Sequence, residues 1–152
     1  MTNKAALEVN LRYTHGLTEL NNVTAIVGTG SDSRRFRVGG NYTFDIFPDI
    51  EKQPGIGIAL QALFVRLNTA GSVEFTGIPY IHKALITDQG IVEPFLAIPV
   101  GLTLSSGQYQ PITTIVVGSM FEHSVHLRSV VEFGLNVNNA QTYLSGGLAY
   151  YH

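Results

Sequence analysis

The chain has 152 residues, only 13% of them charged, a net charge of −2 and no cysteine. That is long enough for one domain with a core; it excludes disulfide and thiolate chemistry and offers no basic patch of the kind that meets nucleic acid. Mean hydropathy is positive, +0.18, yet no run approaches the roughly eighteen apolar residues of a membrane-spanning helix.

Met1-Thr-Asn-Lys leads straight into a strand pattern without a signal peptide. The expectation is either a cytosolic chain or a mature domain with an added start methionine. From Ala5 to Thr14, Ala5, Leu7, Val9, Leu11 and Tyr13 share one face, and Ala6, Glu8, Asn10, Arg12 and Thr14 the other. This period of two is the mark of a β-strand with unlike faces. His15 to Ser33 reads as a long polar connection with a small apolar patch at Val23 to Val27. Arg35 to Phe47 alternates again, with Phe36, Val38, Tyr42, Phe44 and Ile46 opposed to Arg35, Arg37, Asn41, Thr43 and Asp45.

Pro48 to Gly55 carries turn signals. Ile56 to Leu67 and Ser72 to Ile86 form the next two strands, the second disturbed by Pro79. Val92 to Leu104, Ile112 to Glu122, Val125 to Val137 and Gln141 to His152 complete the set. The Val125 strand sets Val131, Phe133 and Leu135 against His126, Arg128, Glu132 and Asn136. The count is eight strands in one domain, with no helix. Short sequential connections favour antiparallel neighbours. The expected fold is all-β: an eight-stranded antiparallel up-and-down barrel, closed so that no edge is exposed. The loops then alternate sides, with 15–33, 68–71, 105–111 and 138–140 at one end and 48–55, 87–90 and 123–125 at the other.

Two barrels share this pattern. A soluble one hides its apolar face; a transmembrane one turns it to lipid and fills the lumen with the polar face. Three features favour the second. The polar face is rich in small residues (Gly39, Gly57, Ala59, Ala97, Gly101, Gly118, Gly134, Ser145, Gly147), which suit a crowded interior. Its charges are Arg, Asp and Glu rather than the Lys of soluble sheet surfaces. Aromatic residues of the apolar face lie toward strand ends (Tyr13, Phe36, Phe44, Phe64, Phe75, Phe121, Tyr150), as in interfacial girdles.

On these residues the whole chain resembles the small eight-stranded bacterial outer-membrane barrels of the OmpA and OmpX type. Its last strand is similar to the C-terminal signal read by their assembly machinery, with Ser145, Gly147 and Tyr150 in matching places and His152 where that family ends in Phe. The resemblance implies an outer-membrane location after signal removal. It also implies contact with membrane lipid and lipopolysaccharide, recognition by the barrel-assembly machinery and a monomer.

The inward charges, Glu8, Arg12, Arg35, Arg37, Asp45, Glu74, Glu93, Glu122, Arg128 and Glu132 with His82 and His126, are read as a lumenal network of pairs, since a buried charge is costly alone. An eight-stranded barrel has room for side chains and little else, so no open solute pore is expected. Ser124, His126 and Glu122 are the parts of a hydrolytic triad, but alternation puts Ser124 in a turn. The reading is a barrel without catalysis, cofactor or metal. Pro79 and Pro99, placed opposite each other by a hairpin symmetric about Gln89, imply a local gap in the wall. The alternatives are a lipid-modifying barrel enzyme with lateral access there, and a soluble lipocalin-like carrier.

Overall fold

The computed structural model describes residues 6–31, 36–66 and 70–152. Eleven strand segments follow one another: β1 (Ala6–Gly16), β2 (Asn21–Gly30), β3 (Phe36–Phe47), β4 (Gly55–Arg66), β5 (Gly71–His82), β6 (Leu85–Thr87), β7 (Gly90–Ala97), β8 (Val100–Ser105), β9 (Gln108–Glu122), β10 (Leu127–Asn138) and β11 (Tyr143–Tyr151). β1 to β5, β8, β9, β10 and β11 pair in a closed ring of nine. β7 continues the line of β8 between the same two neighbours, β5 and β9. β6 pairs only with β7, as a short hairpin at the barrel's end.

The ring therefore has nine strands, not eight. The ninth is β2, in the stretch read as a long connection. Its outward row is Val23, Ala25, Val27 and Thr29; its inward row is Asn22, Thr24, Ile26 and Gly28. Neither row contains a charge, so the alternation is weak in sequence. An odd ring cannot alternate direction all the way round. One pair must be parallel, and it is β1 with β11, from Ala6↔Tyr143 to Thr14↔Tyr151. All other pairings in the ring are antiparallel.

The extra strand also reverses every later one relative to the expectation. The β1–β2, β3–β4, β5–β7 and β9–β10 connections share one end with the C-terminus, called here the open end; the others lie with the start of β1, at the closed end. The first connection spans only the four residues between Gly16 and Asn21. At the closed end, β8 and β9 are joined by a two-residue turn in which Ser106 and Gly107 both have positive φ, 50° and 78°. That is the primed hairpin geometry matching the strand twist.

The polar face lies inside. On β1, Glu8, Asn10 and Thr14 are at most 5% exposed, while Leu7, Val9 and Leu11 are at least 60% exposed. The same division runs round the barrel. Ile56, Ile58, Leu60, Val117, Val131, Phe133 and Leu148 are exposed, whereas Arg37, Thr114, Glu132 and Ser145 are buried. The buried aliphatic cluster is small: Ile26, Leu63 and Val65. Seven of the outward aromatics lie toward strand ends in two belts, while Tyr42 and Phe133 sit mid-strand. Tyr13, Phe44, Phe121 and Tyr150 lie toward the open end, and Phe36, Phe64 and Phe75 toward the other; all seven are exposed. Tyr13 and Tyr150 stack across the parallel seam with centroids 6.0 Å apart.

The two prolines are offset by one residue rather than opposite. The register runs Tyr80↔Ala97 and Gly77↔Val100, so Pro79 faces Ile98 and Pro99 faces Ile78. Pairing is interrupted at Ile98 and Pro99, which separate β7 from β8. The wall stays stitched on both sides: Ile98 N–H donates to the Pro79 carbonyl at 3.0 Å and Thr114 N–H to the Pro99 carbonyl at 3.0 Å. Each proline lacks only its own return bond.

Candidate functional site: a charged lumen closed at one end

The closed end of the lumen is filled by side chains. Arg37 Nη1 lies 3.0 Å from Glu8 Oε2, with both side chains nearly inaccessible. Arg37 Nε donates to Asn10 Oδ1 at 2.8 Å, and Asn10 Nδ2 donates to Ser145 Oγ at 2.5 Å. Gly28 makes room for this chain: a Cβ there would stand 2.0 Å from Asn10 Oδ1. Below it pack Ile26, Leu63 and Val65. The next layer is a bidentate pair, Arg12 Nη2 to both oxygens of Glu132 at 2.9 Å. Buried charge is tolerable here because each of these carboxylates has a guanidinium nitrogen within 3.0 Å.

Toward the open end the lumen widens into a cavity of about 620 Å³. Arg12, Arg37, Glu132 and Leu63 line its floor; Glu19, Asp49 and Ala84, from three open-end connections, line its mouth. A continuous chain of contacts runs round the barrel from β3 to β11. Tyr80 Oη donates to Asp45 Oδ1 at 2.5 Å. Asp45 Oδ1 lies 3.6 Å from His82 Nε2, and His82 Nδ1 lies 2.7 Å from Glu93 Oε1. The second of these is a close charge contact off the N–H direction rather than an aligned hydrogen bond. Arg128 then bridges two carboxylates, Glu93 at 3.2 Å and Glu122 at 2.9 Å, and covers the Tyr151 ring at 4.6 Å from its centroid.

At the mouth, Lys83 Nζ pairs with Asp49, and Ala84 N–H donates to Asp49 Oδ2 at 2.6 Å. Partial burial pushes the Asp49 carboxyl up, but the Lys83 ammonium and the Ala84 N–H outweigh it and hold the group below the usual carboxylate range.

The small residues of the inner face have a specific use. Four cross-strand pairs set a ring against a glycine: Gly55↔His82, Gly57↔Tyr80, Phe95↔Gly118 and Gly134↔Tyr143. In each, a Cβ on the glycine would lie 2.1–2.4 Å from a ring or phenol atom. The rings lie against the wall in the space a side chain would have taken; His82, Tyr80 and Phe95 so keep the middle of the open half clear, while Tyr143, the first residue of β11, does the same at the closed end.

The expected site residues divide as follows. Glu8, Arg12, Arg37, Asp45, Glu93, Glu122, Arg128 and Glu132 all face the lumen and take part in the pairs above. Glu74 is half-buried on the inward row of β5, away from the cavity. Arg35 lies outside the described residues. His126 is not in the lumen. β10 begins at Leu127, so His126 belongs to the turn; it is exposed, stacks on Tyr150 at 5.9 Å and contacts the Tyr151 carbonyl through Nδ1 at 2.9 Å. Ser124 Oγ accepts from Leu127 N–H at 3.1 Å and so fixes the same turn. Ser145 and Gly147 are inward: Ser145 meets Asn10, and a Cβ at Gly147 would stand 2.2 Å from the Asn10 carbonyl oxygen. Tyr150 is outward, in the stack with Tyr13 and His126. Sequence reasoning missed Tyr80, Tyr151 and Asn10 as partners. Their inward parity was visible, but their contacts depend on register. Among the described residues, no group of three or more His, Cys, Asp or Glu side chains is placed to hold a metal ion.

Neither a family model, nor a curated protein, nor a solved structure matches the chain. What stands is a closed, mostly antiparallel all-β barrel of nine strands with a charged interior.

Proposed function

We propose that the chain is a membrane-embedded β-barrel of the outer-membrane type, monomeric, with a lumen that does not conduct. The observation that carries this is the inversion of faces. Leu, Val, Ile and Phe cover the outside at every level while Arg–carboxylate pairs fill the inside. In water such an outer surface would be an aggregation liability far larger than the few hundred Å² of apolar patch that monomers carry. In lipid it is the required surface. The two aromatic belts support the same reading.

The resemblance to OmpA- and OmpX-type barrels extends to size and filled lumen, not to strand number. Bacterial single-chain barrels have even counts, and odd rings with one parallel seam occur in outer-membrane-type barrels elsewhere. Lipopolysaccharide or other outer-leaflet lipid, meeting Arg66 at the rim, and the barrel-assembly machinery are the partners this reading names. A lipocalin-like carrier needs an apolar cavity, and the observed one is lined mostly by charged and polar side chains. A lipid-modifying enzyme would use the interruption at Ile98–Pro99. The bonds on both sides of it, and the use of Ser124 and His126 in their turn, favour a structural wall instead.

The test is extraction and conductance. The protein should need detergent to leave the membrane, should migrate differently on a gel before and after heating, and should give no stepwise conductance in a planar bilayer. A monomer stable in plain buffer would sink the proposal.

A further inference from the structure

The cavity at the open end is lined by two unlike sets of side chains. The charged groups toward its mouth are engaged with one another: Tyr80 with Asp45, His82 with Asp45 and Glu93, Arg128 with Glu93 and Glu122. The floor is likewise satisfied by Arg12 with Glu132 and Arg37 with Glu8. Between Asp45 above and Arg12 and Arg37 below, the inner face of β1 to β4 carries an uncharged polar patch. Register places Thr14, Thr24, Asn41 and Gln61 side by side across four strands, with Asn22 and Thr43 paired beside them. Thr14 and Thr24 bond to each other at 2.9 Å, and Thr43 Oγ1 meets Asn41 Oδ1 at 3.5 Å. Among the described residues, the amides of Asn22 and Gln61 and the Asn41 NH₂ have no side-chain partner, and all three residues line the cavity. Each free amide offers both donors and an acceptor without charge.

The rings supply the other half of the recognition. Tyr80, Phe95 and Tyr143 lie against Gly57, Gly118 and Gly134 and line the same cavity. A ring laid on the wall turns an apolar face inward. The volume, about 620 Å³, falls within the range of roughly 300–1,000 Å³ typical of small-molecule sites.

We propose that this blind vestibule binds a neutral, polyhydroxylated ligand of one or two sugar rings, hydroxyls on Asn22, Asn41 and Gln61 and its C–H face on the Tyr80–Phe95 wall. An ion is a poorer guest, because the vestibule's charges below Glu19 at the mouth are engaged with one another and leave neutral groups to be satisfied. A guest that meets only some of the amides would leave buried polar groups unpaired. The inference uses the lumen alone and holds whether or not the outer wall meets lipid, so its failure would leave the extraction result untouched.

The experiment uses the full chain in a detergent whose headgroup carries no sugar, with backbone amide resonances followed by NMR. Glucose, maltose, an alkyl glucoside, tetramethylammonium chloride and sodium phosphate are titrated separately. Saturable shifts are expected with glucose or maltose at residues around Asn41, Gln61 and Phe95. Gln61→Leu and Phe95→Leu, each retaining the wild-type spectrum elsewhere, should each weaken binding about tenfold. Saturation by the free sugars identifies a soluble guest; saturation by the alkyl glucoside alone identifies a glycolipid headgroup. Response only to tetramethylammonium or phosphate, response to no probe, or unchanged sugar binding in both variants would overturn the proposal.

Discussion

The two ends of the lumen are built from the same strands, yet they solve the problem of an interior charge differently. At the closed end, Arg37, Glu8, Asn10 and Ser145 interlock with almost no solvent access, above a floor where Glu132 is held bidentately by Arg12. At the open end, Arg128, Glu93, Glu122, His82 and Asp45 are strung round the barrel on five strands and are each partly accessible. The difference teaches what the glycines do. At the closed end Gly28 admits a crossing arginine; at the open end Gly55, Gly57 and Gly118 draw rings back against the wall and leave a space. A charge without water needs its partner, whereas a charge beside a wet cavity can lose one and be hydrated.

The predictions follow from that contrast. Arg12→Ala should be the most damaging: Glu132 lies on the cavity floor, yet its side chain is only 8% accessible, less than Glu93 or Glu122, so little water can replace the cation that meets both its oxygens; the expected loss is about 3–5 kcal/mol by urea unfolding in detergent or lipid. Gly134→Ala should come next. Its Cβ would lie 2.2 Å from the Tyr143 ring, and displacing the ring should cost about 1–3 kcal/mol. Arg128→Ala, at the cavity, should cost about 1 kcal/mol or less, since Glu93 and Glu122 can turn to water. If Arg12→Ala and Arg128→Ala proved equally costly, the two ends would not differ as described.

The smallest effect concerns the mouth. Asp49 is held below the usual carboxylate range, burial opposing and Lys83 with Ala84 N–H prevailing. A lowered folded-state value means that its contribution is present above an ordinary carboxyl pKa of about 4 and fades as pH falls through the folded value. The protection of the Ala84 amide, taken relative to its intrinsic exchange rate at each pH, should therefore fall selectively on acidification, and Asp49→Asn should remove that pH dependence.

Much of the barrel was legible because a period of two is hard to hide when one face carries Leu, Val and Phe and the other Arg, Glu and Gly. β1, β3, β4 and β9 could be read to within a few residues, with inside and outside correctly opposed. β2 could not, because Thr24, Ala25 and Gly28 contrast too little in polarity to mark two faces. That single strand carried the strand count, the parallel seam and the side of every later loop with it. His126 has the right parity but sits just before Leu127, where the strand begins; parity means nothing in a turn. The Gly–ring pairs and the one-residue offset of Pro79 from Pro99 belong to register, which one strand's sequence does not contain.

The central claim is that the apolar face meets lipid and the charged face does not. The chain has no cysteine, so single-cysteine variants at outward Val9 and Leu11 and at Asn41 and Thr43, which line the cavity, can each carry a nitroxide in liposomes. Oxygen, which concentrates in the bilayer, should reach Val9 and Leu11 far more readily than Asn41 and Thr43, with a water-soluble nickel complex excluded from the first pair. Nickel access at Val9 and Leu11 equal to that of a solvated turn would contradict the account.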